Sequence, residues 1–285
     1  MNAELKKLLG KINALKVSAT RVAKALDKKT AETTWLYLVW TYVTESSLLE
    51  GLPTMTDDVV KFFWNGTRPP NLSKEQIQEM VNEAAALSLL KTSLDGGVPL
   101  STELIRELHA TLASGIDDRR GGKFRQEESN SPKKEGVLSR IIPWGKKKAP
   151  EVPPKEETPE EPPREKYVPP MPSEIPALME HALMERARMT EEGVHSALVA
   201  IYLHAEICRI TPFDEENDRV ARLVMNYHLL SDGFPLTIVE GNEFSLPLYV
   251  ETLKIARETG ILEPFQIVMT NVVHYSLEGF LRIAK

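Results

Sequence analysis

The stretch Thr211-Pro-Phe-Asp-Glu-Glu-Asn-Asp-Arg-Val-Ala-Arg222 decides how this 285-residue chain is read. Four carboxylates, Asp214, Glu215, Glu216 and Asp218, crowd a loop. The loop follows a helical run whose apolar face is Val194, Ala197, Leu198, Ile201, Ala205 and Cys208, and helical periodicity resumes from about Arg219 to Leu230. A loop that leads directly into a helix N-terminus offers free backbone N–H groups and the positive end of the helix dipole, together a seat for phosphate. Arg219 and Arg222, three residues apart, lie on neighbouring faces of the first turn and reach that seat together. The residues alone leave a second reading open, an ordinary helix cap with solvated charges.

Outward from this loop the chain reads as helix nearly throughout. Thr190 and Glu191 open the helix before the loop, and Ser231-Asp-Gly-Phe-Pro235 stops the one after it. Leu5, Leu8, Leu9, Ile12 and Leu15, continued by Val22 to Leu26, predict one or two amphipathic helices whose stripe packs on the rest of the chain or, as the alternative, on a second copy. An aromatic-rich helix, with Trp35, Tyr37, Trp40 and Tyr42, spans about 31–50 and ends at Gly51 and Pro53. Helices at about 56–64, 73–92 and 101–114 are capped by Thr56, Ser73 and Ser101. Short strand pairs are expected at most around 122–135 and 234–240. Between Ile141 and about residue 168, dense proline and nearly cancelling charge runs predict a mobile, partly extended insertion, with Trp144 and Ile141-Ile142 as its apolar exceptions.

Composition excludes several classes of function. A formal net charge of -6 argues against broad nucleic-acid binding, which needs many basic contacts to phosphate. Lys6, Lys7 and Lys11 interrupt the N-terminus, and no uncharged stretch is long enough to span a bilayer, so the expectation is a cytoplasmic protein without membrane association. The single cysteine, Cys208, rules out an internal disulfide and reads as a buried structural thiol.

With these residues in view, the 211–222 stretch resembles the signature of the Fic (Fido-domain) family, His-Pro-Phe-x-(Asp/Glu)-Gly-Asn-Gly-Arg-x-x-Arg. It agrees at Pro212, Phe213, Glu215, Asn217, Arg219 and Arg222 and departs at Thr211, Glu216 and Asp218, which stand for the histidine and two glycines. Ser46-Ser-Leu-Leu-Glu50-Gly51 is similar to the family's inhibitory helix motif, and Gly121-Gly-Lys-Phe-Arg125, Tyr167-Val-Pro-Pro170, His204 and Glu263-Pro-Phe265 extend the likeness. The resemblance implies a mainly α Fic-like helical bundle with a small β-hairpin flap. It divides the chain into an N-terminal helical region, 1–95, with the inhibitory-type helix at about 31–51, and a Fic-like core, 96–285, interrupted at about 141–168. It further implies ATP and Mg²⁺ as cofactors, Glu215 as metal ligand, Asn217, Arg219 and Arg222 as nucleotide contacts, and Ser46, Glu50 and Gly51 as inhibitory, with Glu50 paired to Arg222.

The departures bear on chemistry. A threonine hydroxyl cannot act as the general base that the family's histidine supplies, a loss of about 10² to 10⁴ in rate. Glu216 and Asp218 add bulk and charge beside a polyanion and remove the glycines' easy access to positive φ. The expectation is a protein deficient in AMP transfer, with an interaction or regulatory role toward an unidentified protein. Two enzymic alternatives stay open: acidic loop residues supplying base and metal site, or Glu50 assisting AMP removal. His204 reads as a core histidine, and His109 has no motif around it.

Overall fold

In a computed structural model of the chain, which describes residues 2–126 and 167–284, no strand forms among the described residues and the fold is mainly α. The Phe234–Glu240 segment, expected as a strand, runs without a partner strand. Most of the expected 122–135 hairpin, and the 141–168 insertion up to residue 166, lie outside the described residues.

Local chemistry explains most helix ends. Helix α1 (Ala3–Ala25) is capped by the Asn2 carboxamide and α2 (Lys28–Leu49) by Asp27. Helix α3 (Thr56–Asn65) has Met55 at its cap position with no side-chain bond, so Thr56 is its first helical residue and not its cap. Ser73 caps α4 (Lys74–Asp95) in a reciprocal box with Gln76, and Ser101 caps α5 (Thr102–Ala113).

The helix expected to open at Thr190 opens instead at Ser196, and a separate, unexpected helix precedes it. After a 3-10 turn at Pro172–Glu174, α6 runs Ile175–Glu191 and α7 runs Ser196–Ile210. Thr190 and Glu191 therefore close a helix. The break falls at Gly193, whose φ of +73° is the left-handed conformation glycine adopts without strain. The remaining helices are α8 (Asn217–Ser231), α9 (Ser245–Thr259) and α10 (Glu263–Ile283), the last with Pro264 in its first turn.

Helix α8 is the centre of the bundle, and every residue from Arg219 to Leu229 on it is buried. It pairs most closely with α7 and is flanked by α4 and α5. Helix α1 lies along α10, burying Leu5, Leu9, Ile12 and Ala19 in the same core as α8, so its apolar stripe is covered by its own chain. The Phe234–Glu240 segment is held by side chains: Asn226 pairs with both polar backbone groups of Thr237, and Ser276 accepts from Ile238 N–H. At its end Gly241 meets α2 so closely that a Cβ would stand 2.5 Å from Leu48 Cβ. This contact fixes the C-terminal end of α2 against the core.

Candidate functional site

The 211–222 loop joins α7 to α8 through two residues in the left-handed region, Thr211 (φ 49°) and Glu216 (φ 61°). Both are costly for residues with a Cβ, Thr211 more so because it is β-branched. Without glycine at 216 the positive φ is no longer freely accessible; the backbone keeps it and carries the strain. The compensation is a dense set of bonds. Arg125 Nε donates to the Thr211 carbonyl at 2.7 Å and its backbone N–H to Pro212 at 3.0 Å, while the Thr211 hydroxyl turns back onto the Cys208 carbonyl.

Asn217 closes the loop. Its amide accepts from Phe213 N–H and donates to Phe213 C=O, both at 2.9 Å, so its polar atoms are engaged within the loop. Beneath Phe213 lies His109, stacked at 3.8 Å and 5°. Nδ1 of His109 accepts from Gly122 N–H, and burial holds its pKa down to about 4 despite its bond to the Glu215 backbone. His109 is thus a neutral brace between the loop and the 121–125 segment. Its sequence neighbourhood gave no signal, because the partner stretches lie 13 and about 100 residues away.

The expected arginines come together at the start of α8, each 2% exposed. Nη2 of Arg222 donates to Glu50 Oε1 at 2.9 Å and to Ser46 Oγ at 2.8 Å, so the pairing implied by the Ser46–Gly51 resemblance is present. Ser46 in turn donates to Glu83, which is completely buried on α4. Arg219 reaches Glu216 at 3.0 Å, Glu79 at 3.2 Å and Glu83 at 3.8 Å. Neither Glu79 nor Glu83 was singled out in the sequence. Burial opposes the charge on Arg219, but Glu216, Glu83, Glu50 and Glu79 hold its pKa well above the ordinary value. Burial raises the Glu83 carboxyl, with Arg219 and Arg222 pulling the other way. Glu216 is pushed up to about 7, first by burial and then by Glu50, Glu79 and Glu83, against the attraction of Arg219.

On its far side Arg222 abuts Tyr249, whose hydroxyl bonds His204 Nε2 at 2.9 Å. His204 is buried with its pKa lowered to about 3, the core histidine expected. The other loop carboxylates are engaged differently. Asp214 faces Arg120 at 3.7 Å, Glu215 is exposed, and Asp218 accepts from the Cys208 thiol at 3.4 Å. Among the described residues no three His, Cys, Asp or Glu side chains converge in a group able to hold a metal.

The sequence profile of the Fic/DOC family matches residues 99–229, which begin just before α5 and include the whole 211–222 loop. Residues 99–229 thus match the Fic/DOC family. Proteins named protein adenylyltransferase Fic, from Drosophila persimilis and Drosophila melanogaster, are 25% and 24% identical over 211 residues, 73% of this chain. The chain spans about a third of those relatives' length, 34% and 35%. Among solved structures, Fic-1 of C. elegans superposes with a TM-score of 0.74 at 17% identity over 98% of this chain and 71% of that one. A Fic domain containing signaling protein from Bacteroides thetaiotaomicron gives 0.71 at 20% identity over 99% and 98%. These structures agree with the Fic fold of this chain. No helix among the described residues is long and apolar enough to cross a membrane.

Proposed function

We propose that this Fic-domain protein is deficient in AMP transfer and acts as an interaction or regulatory module. The observation that carries the reading is the state of the signature loop: threonine stands at the position of the family's base, and both arginines are engaged by carboxylates of the same chain. At 211 the hydroxyl is spent on the Cys208 carbonyl and has no basic form near neutral pH.

ATP with Mg²⁺ is the cofactor that the curated relatives' name implies, and the residues as arranged do not fit a triphosphate. Arg219 and Arg222 bring two positive charges, against which stand Glu50, Glu79, Glu83 and Glu216. A further anion near 4 Å from one uncompensated carboxylate meets a repulsion on the order of 4 kcal/mol at an effective dielectric of about 20. Glu215, the expected metal ligand, belongs to no group of three or more His, Cys, Asp or Glu side chains able to hold a metal among the described residues.

The enzymic alternative draws on Glu216, since a carboxyl titrating near 7 is tuned for proton transfer. Its carboxylate, however, is directed at Arg219 and sits at the opposite end of the loop from Thr211. The test is transfer of labelled AMP from ATP to the protein itself and to a cell lysate. The wild type is expected to transfer none. The variant combining Thr211→His, Glu216→Gly, Asp218→Gly and Glu50→Gly is expected to label itself in a Mg²⁺-dependent way. Robust labelling by the wild type would overturn the proposal.

A further inference from the structure

Glu216 stands where the family signature has a glycine, and it keeps a left-handed backbone that a glycine would hold freely. It occupies the cap position of α8, yet its side chain makes no capping bond to the helix backbone. The carboxylate instead turns to Arg219 and closes at 3.0 Å. We infer that Glu216 is an internal replacement for a ligand anion on Arg219, a second carboxylate lock beside that of Glu50 on Arg222. The inference rests on reading the loop as an altered anion cradle, as proposed above, and it names what closes that cradle.

The two locks are mounted on different elements. Glu50 comes from the C-terminal end of α2 and reaches Arg222 alongside Ser46. Glu216 comes from the loop and shares Arg219 with Glu79 and Glu83 of α4. Removing Glu50 leaves all three carboxylates on Arg219, so an incoming polyphosphate gains one arginine and meets the other already neutralised. Removing Glu216 alone leaves Arg222 held. Either change alone lightens the load on one arginine only, with Glu79 and Glu83 still facing Arg219, and a polyphosphate needs both arginines. Of the three partners of Arg219, Glu216 is the one whose loss costs the fold least. Glu79 and Glu83 belong to a packed helix, whereas glycine at 216 relieves the backbone.

Glu216 is also under electrostatic load. Burial comes first, and the charges of Glu50, Glu79 and Glu83 add to it, opposed by Arg219 on its own helix. The lock itself is the contact of the Glu216 carboxylate with Arg219, and the test is run at pH 8.

Calorimetric titration with Mg²⁺-ATP, and separately with inorganic triphosphate, at pH 8 reads the lock directly. The proteins are wild type, Glu50→Gly, Glu216→Gly, the double variant, and Glu50→Gly combined with Glu216→Gln. The double glycine variant is expected to bind both anions at least tenfold more tightly than either single variant, with the wild type weakest. Glutamine at 216 in the Glu50→Gly background keeps length and removes charge; binding near that of the double glycine variant supports a charge lock. Equal affinity of Glu50→Gly and the double variant would overturn the inference, and so would a folded double variant that binds neither anion. Thr211 is untouched, so these binding outcomes leave the missing-base reading standing. AMP transfer by the double variant would sink that reading while supporting the lock, because transfer requires binding.

Discussion

At the scale of single residues, Glu216 is the position where strain, charge and function meet. Its folded pKa of about 7 lies above the ordinary 4.5, so the folded state favours the protonated form. The stability this contributes is complete below about 4.5 and is lost as pH rises through about 7. Relative to Glu216→Gln, which does not titrate, the wild type should lose on the order of 2 kcal/mol between pH 5 and pH 8. Urea denaturation of both proteins across that range checks it. Parallel stability curves would mean that Glu216 is solvated and free of its carboxylate neighbours. Thr211, Arg219, Arg222 and the Ser46–Gly51 turn were legible in the sequence because each lies in a short motif with fixed spacing. Glu79 and Glu83 were not. On α4 they look like solvent-facing charges, and Glu83 is buried only because α8, some 140 residues later, brings two arginines against it. His109 was missed for the same reason.

At the scale of elements, two contacts of different kinds hold the end of α2, beside the apolar packing of Leu38, Val39, Tyr42, Val43 and Leu49. The polar one is the Glu50–Arg222–Ser46–Glu83 chain. Replacing Arg222 with Met should cost about 3–5 kcal/mol, because the Glu50 ion pair and the bond to Ser46 are lost and buried Glu83 keeps only Arg219 as counter-charge. The steric one is Gly241, where a Cβ meets Leu48 Cβ at 2.5 Å and the Glu45 carbonyl at 3.0 Å, both on a packed helix that cannot easily yield. Gly241→Ala should lower the thermal midpoint, with a cost of about 1–3 kcal/mol, and should raise amide exchange in the last turns of α2. An unchanged midpoint would show that α2 shifts freely. Most helices were legible from apolar spacing, and the caps at Ser73 and Ser101 from their side chains. Helix α6 was not: Pro172 and Pro176 precede or open it, and Arg and Glu fill a face whose buried positions are few, Ile175, Met179 and Ala182. The Phe234–Glu240 run misled because β-branched residues are read as strand, whereas here side chains of Asn226 and Ser276 take the place of a partner strand.

At the scale of the whole molecule, α1 and α10 close the bundle, tied further by Lys16 to Asp232 at 2.6 Å and Asn13 to His195 at 3.0 Å. Ile12 is fully buried in the same core as α8. Ile12→Ala should therefore cost about 2–5 kcal/mol and shift a single unfolding transition of the whole chain. A separate early transition for the N-terminal helices would instead mark them as an independent unit. The closed anion seat is tested most directly by a crystal structure of the wild-type protein grown with excess ATP and Mg²⁺ at pH 8. The expected result is Arg219 still bridged to Glu216 and Arg222 still bridged to Glu50, with no triphosphate density at the start of α8. A triphosphate seated on both arginines, with the Glu216 and Glu50 carboxylates turned away, would contradict it.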